Sequence, residues 1–83
     1  MMKIRLYLFA GLAEAMGGNS LDMELSETTL DVGALIQKLS QHYPASEKAI
    51  RHAMVVVNKV YTGPDYQIKE DDEVALIPPL SGG

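Results

Sequence analysis

One stretch of this chain has a helical period long enough to bury a face, and the rest must fold around it. In "LDVGALIQKLSQHYP", residues 30–44, Val32, Leu35, Ile36 and Leu39 recur at i, i+3, i+4 and i+7, which lines them up as one apolar stripe on a helix. Asp31 stands before the stripe, where its carboxylate suits the free amides of a first turn. Gln37, Lys38, Ser40 and Gln41 take the other side, and Pro44 disfavours a helical Tyr43 and ends the element. An amphipathic helix needs a partner layer for its stripe.

The flanking segments have a period of two. In residues 3–9, Ile4, Leu6 and Leu8 point one way and Lys3, Arg5, Tyr7 and Phe9 the other. Residues 10–16, rich in helix formers, predict a brief helix stopped at Gly17-Gly18. Residues 20–25 alternate again, with Leu21, Met23 and Leu25 inward. Residues 45–52 predict one more irregular helical turn. Residues 53–58, "AMVVVN", are apolar at nearly every position and predict a central strand covered at least in part on both sides. Asn58-Lys59 is a tight turn, residues 60–62 a short returning strand, and residues 66–68 a small edge piece. "KEDD" is a polar turn, and residues 73–77 form the last strand, with Val74 and Leu76 inward. A hairpin followed by a crossover helix requires a parallel partner for the returning strand. The resulting α+β arrangement, a mixed sheet curled on one main helix, resembles the ubiquitin-like β-grasp, here over residues 1–77 with a flexible tail over residues 78–83.

Composition narrows the chemistry. The 83 residues make one domain with a small core. There is no cysteine, so disulfides, thiolate catalysis and cysteine metal sites are excluded within the chain; this suits a cytoplasmic protein. A net charge of −4 argues against nucleic-acid binding, and no apolar run reaches the roughly 20 residues that cross a bilayer. His42 and His52 are the only histidines and read as solvated or capping groups. No three- or four-ligand metal set, calcium loop, phosphate loop or nucleophilic triad is present. The chain therefore lacks the side chains of an enzyme acting on its own.

What remains is the ending, "EVALIPPLSGG". Pro78 and Pro79 cannot donate to a sheet ladder, so pairing stops there, and their fixed φ favours an extended spacer. Leu80 offers an apolar anchor and Ser81 is small. Gly82 and Gly83 lack Cβ, so their backbone can lie in a tunnel too narrow for a side chain. Gly-Gly ends are also common in frayed termini. The prolines, following directly on a core strand, favour a carboxylate presented to a partner.

"DEVALIPPLSGG", together with "YLFAGLAEAMG", "TTLDVGALIQKL" and "VVVN", resembles the small, sulfur-carrier subunit of molybdopterin synthase over nearly the whole chain. That family often has a basic residue where Ala13 stands. The resemblance implies that an ATP-dependent, E1-like activating enzyme joins the Gly83 carboxylate to AMP and that a sulfur donor then makes a thiocarboxylate. It implies that Gly82, Ser81, Leu80, Pro79 and Pro78 thread into a large catalytic subunit, in a complex of two small and two large subunits. There the sulfur passes to a cyclic pyranopterin monophosphate. No cofactor would be held permanently, and ATP would serve only the activating enzyme.

The alternation adds a docking expectation. Phe9 and Ile77 fall on the outward phase of neighbouring strands, and Tyr61 lies just past the Asn58-Lys59 turn. Together they predict an apolar cluster at the root of the tail. Three other readings stay open: a sulfur carrier of thiamine biosynthesis, a modifier conjugated to lysines through Gly83, and a plain interaction module.

Overall fold

A computed structural model describes residues 2–78. The chain runs β1 (Met2–Leu8), α1 (Ala10–Met16), β2 (Ser20–Leu25), β3 (Leu30–Asp31), α2 (Val32–His42), a 3-10 turn (Pro44–Ser46), α3 (Glu47–His52), β4 (Met54–Val57), β5 (Val60–Tyr61), β6 (Gln67–Ile68) and β7 (Glu73–Ile77). Five strands form one sheet in the order β2-β1-β7-β4-β5. β1 and β7 pair in parallel, with Leu6 beside Val74 and Leu8 beside Leu76, and the other neighbours in this sheet are antiparallel. The expected mixed sheet is present, and the architecture is the ubiquitin-like β-grasp.

Why the sheet closes on α2 follows from the alternation. Met2, Ile4, Leu6 and Leu8 of β1, Val55 and Val57 of β4, and Val74 and Leu76 of β7 are all buried on one face. They meet Val32, Leu35 and Leu39 of α2, with Leu35 and Leu39 wholly inaccessible. Ile36, expected in the stripe, is only half-buried and packs at its margin. Burying side chains of this size contributes about 1.5–3 kcal/mol each, which conformational entropy largely offsets.

The start of α2 is fastened at three consecutive amides. Asp31 Oδ1 accepts from the Ala34 amide at 2.7 Å, as its position before the stripe predicts. The Val32 and Gly33 amides donate to the Tyr66 and Pro64 carbonyls, each at 3.0 Å. The loop before β6 thus completes the cap, and three of the amides a helix leaves without intrahelical partners are satisfied. At the end of α1, Gly17 adopts φ +89°, a left-handed cap that only glycine takes without strain, and the Gly17 and Gly18 amides both donate to Ala13 O.

Several expectations are corrected by tertiary packing. Ser40, assigned to the solvent side of α2, is buried at 4% exposure. The reason is that residues 45–52, expected as one irregular turn, belong to the 3-10 turn and then α3, which packs on α2. Ile50 of α3 is wholly buried and belongs to the core. β3 was not expected; it pairs antiparallel with β6, so the "edge piece" at Gln67–Ile68 belongs to a separate two-stranded ladder. β4 is not the centre of its sheet and has only one buried face: Val55 and Val57 are covered, whereas Met54 is exposed and Val56 half-buried. Its unbroken apolar run leaves a partly bare outer surface.

Candidate functional site

The sheet face turned away from α2 is built row by row from the strand register. Nearest the end of β7, Ile77 lies opposite Met54. Phe9, which follows Leu8, remains extended at φ −127° and ψ 150° before the chain turns into α1 through Ala10, at φ +52°. The next row runs Ser20, Tyr7, Ala75, Val56, Tyr61 across all five strands. The row beyond is charged, with Asp22, Arg5 and Glu73, and past it Glu24 faces Lys3. One end of this face is apolar and the other carries ions.

At the apolar end, Phe9 is 49% exposed, Met54 41% and Tyr61 69%, too much for side chains that serve only the core. Ala75 is small between Tyr7 and Val56, and the depression over it is a groove of about 220 Å³, lined by Tyr7, Phe9, Val56, Lys59, Glu73 and Ala75. A second groove, of about 380 Å³, runs round the β5 edge between Tyr61, Met54, Ile36 and Arg51. Phe9 and Ile77 therefore share the end of the face where β7 stops. Tyr61 stands three strands away from β1, about 14 Å at ordinary strand spacing, and lines the second groove instead. Tyr7, Met54, Val56 and Ala75 bridge the gap. The signal for Met54 and Val56 was their shared phase, masked by the valine run.

At the charged end, Arg5 Nε donates to Asp22 Oδ1 at 2.9 Å, and that hydrogen bond and charge hold the Asp22 carboxyl below its ordinary value. Both side chains are mostly in water, so the pair adds little stability. The turn at Asn58-Lys59 has φ +52° and +71°, the two left-handed residues of a tight hairpin. Asn58 also ties this hairpin to the turn before β7: its Nδ2 donates to Asp72 Oδ1 at 3.0 Å and its Oδ1 accepts from the Glu73 amide at 2.9 Å. Asp72 Oδ2 accepts from the Lys69 amide at 2.9 Å. The acidic turn is thus a structural clasp in which Asp72 is already engaged.

Among the described residues no group of three or more histidine or acidic side chains is placed to hold a metal ion. His52 Nδ1 donates to the Lys48 carbonyl at 2.8 Å, within α3, and His42 is exposed in the last turn of α2. Ala13 is half-buried against the core, with its carbonyl holding the α1 cap. No described helix is long and apolar enough to cross a membrane. Of the predicted tail, Pro78 is half-buried beside the end of β7. Pro79, Leu80, Ser81, Gly82 and Gly83 lie outside the described residues.

A β-grasp whose last core strand runs into a Pro-Pro-x-Ser-Gly-Gly segment, beside a bare apolar sheet face, has the build of a ubiquitin-like carrier. The chain belongs to the ThiS family, whose model matches residues 6–83. It is 36% identical over 85 residues to the molybdopterin synthase sulfur carrier subunit of Dictyostelium discoideum, covering 98% of this chain and 96% of that one. It is 34% identical over 84 residues to the protein of the same name from Chlamydomonas reinhardtii, covering 99% and 100%. Among solved structures it is similar to small archaeal modifier protein 1 of Haloferax volcanii, with a TM-score of 0.81, 26% identity and coverage of 96% and 100%.

Proposed function

We propose that this protein carries sulfur in molybdenum cofactor biosynthesis, as the small subunit of a molybdopterin synthase, with Gly83 as the working group. The reaction follows from carboxylate chemistry. A carboxylate is a poor electrophile because its charge is delocalised and its leaving group would be oxide. Attack of the Gly83 carboxylate on the α-phosphorus of ATP, in an E1-like activating enzyme, releases pyrophosphate and forms an acyl adenylate. A sulfur donor then displaces AMP from the carbonyl carbon, giving a terminal thiocarboxylate. The thiocarboxylate sulfur is soft, ionised and nucleophilic. In the large subunit it passes to cyclic pyranopterin monophosphate, with proton transfers supplied by that subunit. Gly82, Ser81, Leu80, Pro79 and Pro78 form the stalk that enters the partner. The reading places this chemistry in the cytoplasm.

The observation that carries the reading is the position of the tail's root. β7 ends at Ile77 on the same sheet face as Phe9, Met54, Tyr7 and Val56, so the stalk begins at the margin of an apolar docking surface. The names of two relatives support the reading: the proteins at 36% and 34% identity are called sulfur carrier subunits of molybdopterin synthase. Incubation with ATP, an activating enzyme and a sulfur source is expected to raise the intact mass by about 16 Da, the difference between sulfur and oxygen, and removal of Gly83 is expected to abolish the gain. An unchanged mass for the full chain, or restored cofactor synthesis by the chain lacking Gly83, overturns the reading. For the docking face, Ile77→Glu is expected to leave the fold intact and to weaken large-subunit binding at least ten-fold, read by calorimetry, because a carboxylate would be desolvated without a partner.

A second reading is favoured by the likeness to a protein named as an archaeal modifier. In it the activated Gly83 carbonyl is attacked by a lysine ε-amine, with loss of the activating group and formation of an isopeptide bond. Isopeptide-linked products in cells, with no terminal thiocarboxylate, would distinguish it.

A further inference from the structure

The apolar end of the outer face contains a methionine where a plain aliphatic would serve packing as well. Met54 is 41% exposed, directly opposite Ile77 in the β4–β7 register, beside the root of the tail. The other described methionines are better protected: Met2 is 1% exposed, Met16 8%, and Met23 is half-buried under the β2 edge. A thioether is apolar and polarisable, which suits a docking surface, but it can be oxidised.

We propose that Met54 is an oxidation site through which peroxide uncouples the carrier from its large subunit. This rests on the docking role given above to the outer face. The chemistry is a two-electron oxygen transfer. The Met54 sulfur attacks one oxygen of hydrogen peroxide, the O–O bond breaks, an S–O bond forms and water leaves. Sulfur is oxidised to the sulfoxide and peroxide is reduced. The product puts a strong hydrogen-bond acceptor in the row shared with Ile77, on the apolar surface beside the root of the tail that the partner must dry. Met54 is outside the core, so the fold survives, whereas docking must strip water from the sulfoxide. Reduction by a methionine sulfoxide reductase restores the thioether.

The test uses the full chain in its carboxylate form, graded hydrogen peroxide and tryptic mass mapping. The peptide of residues 52–59 holds Met54 as its only methionine, whereas Met16 and Met23 share the peptide of residues 6–38. The 52–59 peptide is expected to gain about 16 Da first. The singly oxidised protein should keep its circular dichroism and bind the large subunit about 10- to 100-fold more weakly. Met54→Leu, whatever its starting affinity, should show no change on treatment. Oxidation of residues 6–38 ahead of residues 52–59 overturns the proposal. So does unchanged affinity of the Met54 sulfoxide where Ile77→Glu does weaken binding. If Ile77→Glu also leaves affinity unchanged, the docking surface itself is misplaced and both readings fall.

Discussion

Two residues show how a polar side chain gains its meaning from where the chain takes it. Asn58 is in the left-handed region at φ +52° and makes two side-chain hydrogen bonds across to Asp72 and Glu73. Asn58→Ala removes both bonds and keeps the strained backbone, so urea denaturation is expected to show a loss of about 2 kcal/mol. Asn58→Gly relieves the backbone and should recover part of the loss; a glycine variant no better than alanine would show that strain plays no part. Ser40 is the opposite case. Its Oγ is buried with no hydrogen-bond partner among the described residues. Ser40→Ala should therefore stabilise the fold by about 1 kcal/mol, since it removes an unpaired hydroxyl and improves helix propensity. The asparagine turn was legible in the sequence, because few residues tolerate positive φ. The burial of Ser40 was not, because its cause is α3, six residues of sequence that carry no helical stripe of their own.

Elements differ in how locally they are specified. α2 has its cap, stripe and stop within one window: Asp31 before, Leu35 and Leu39 along the buried face, Pro44 after. Asp31→Ala should cost about 1 kcal/mol in thermal or urea unfolding, less than Leu35→Ala at about 2–5 kcal/mol, because the loop carbonyls of Pro64 and Tyr66 still hold two amides. An Asp31→Ala loss equal to that of Leu35→Ala would mean the cap sets the helix more than its packing does. β3 and β6 are two residues each and pair with each other, so the window of β3 contains too little pattern to announce a strand, and the edge piece read at residues 66–68 could not name its partner. β4 carried a misleading pattern: an apolar run fits a strand covered on both faces, yet its outer neighbours across β7 and β5 are Ala75, Ile77 and Tyr61, all on an open face.

For the whole molecule, the outer sheet face sorts itself into an apolar end beside the root of the tail and a charged end around Arg5, Asp22 and Glu73. The charged end gives a pH response with a definite sign. Arg5 lowers the folded-state value of Asp22 below its ordinary 3.8. The folded state thus prefers the ionised form, and the contribution is complete above that ordinary value and disappears as pH falls through the lower folded one. Stability measured between neutral and strongly acid pH should therefore decline, and Asp22→Asn should remove this part of the decline. Added salt should shrink the difference, since both side chains are exposed. A decline unaltered in Asp22→Asn would assign it to other carboxylates.

The helix stripe, the strand phases, the Asn58 turn and the proline-glycine ending are all local, because each depends on neighbours within a few positions along the chain. The sequence also excluded disulfides and cysteine chemistry within the chain, since a residue type that is absent cannot be supplied by folding. Which phase of β4 faces water, the interior position of Ile50 and Ser40, and the separation of Tyr61 from Phe9 by β7 and β4 emerge only in the folded chain. Those outcomes depend on which distant strands become neighbours, and burial is a property of the assembled surface.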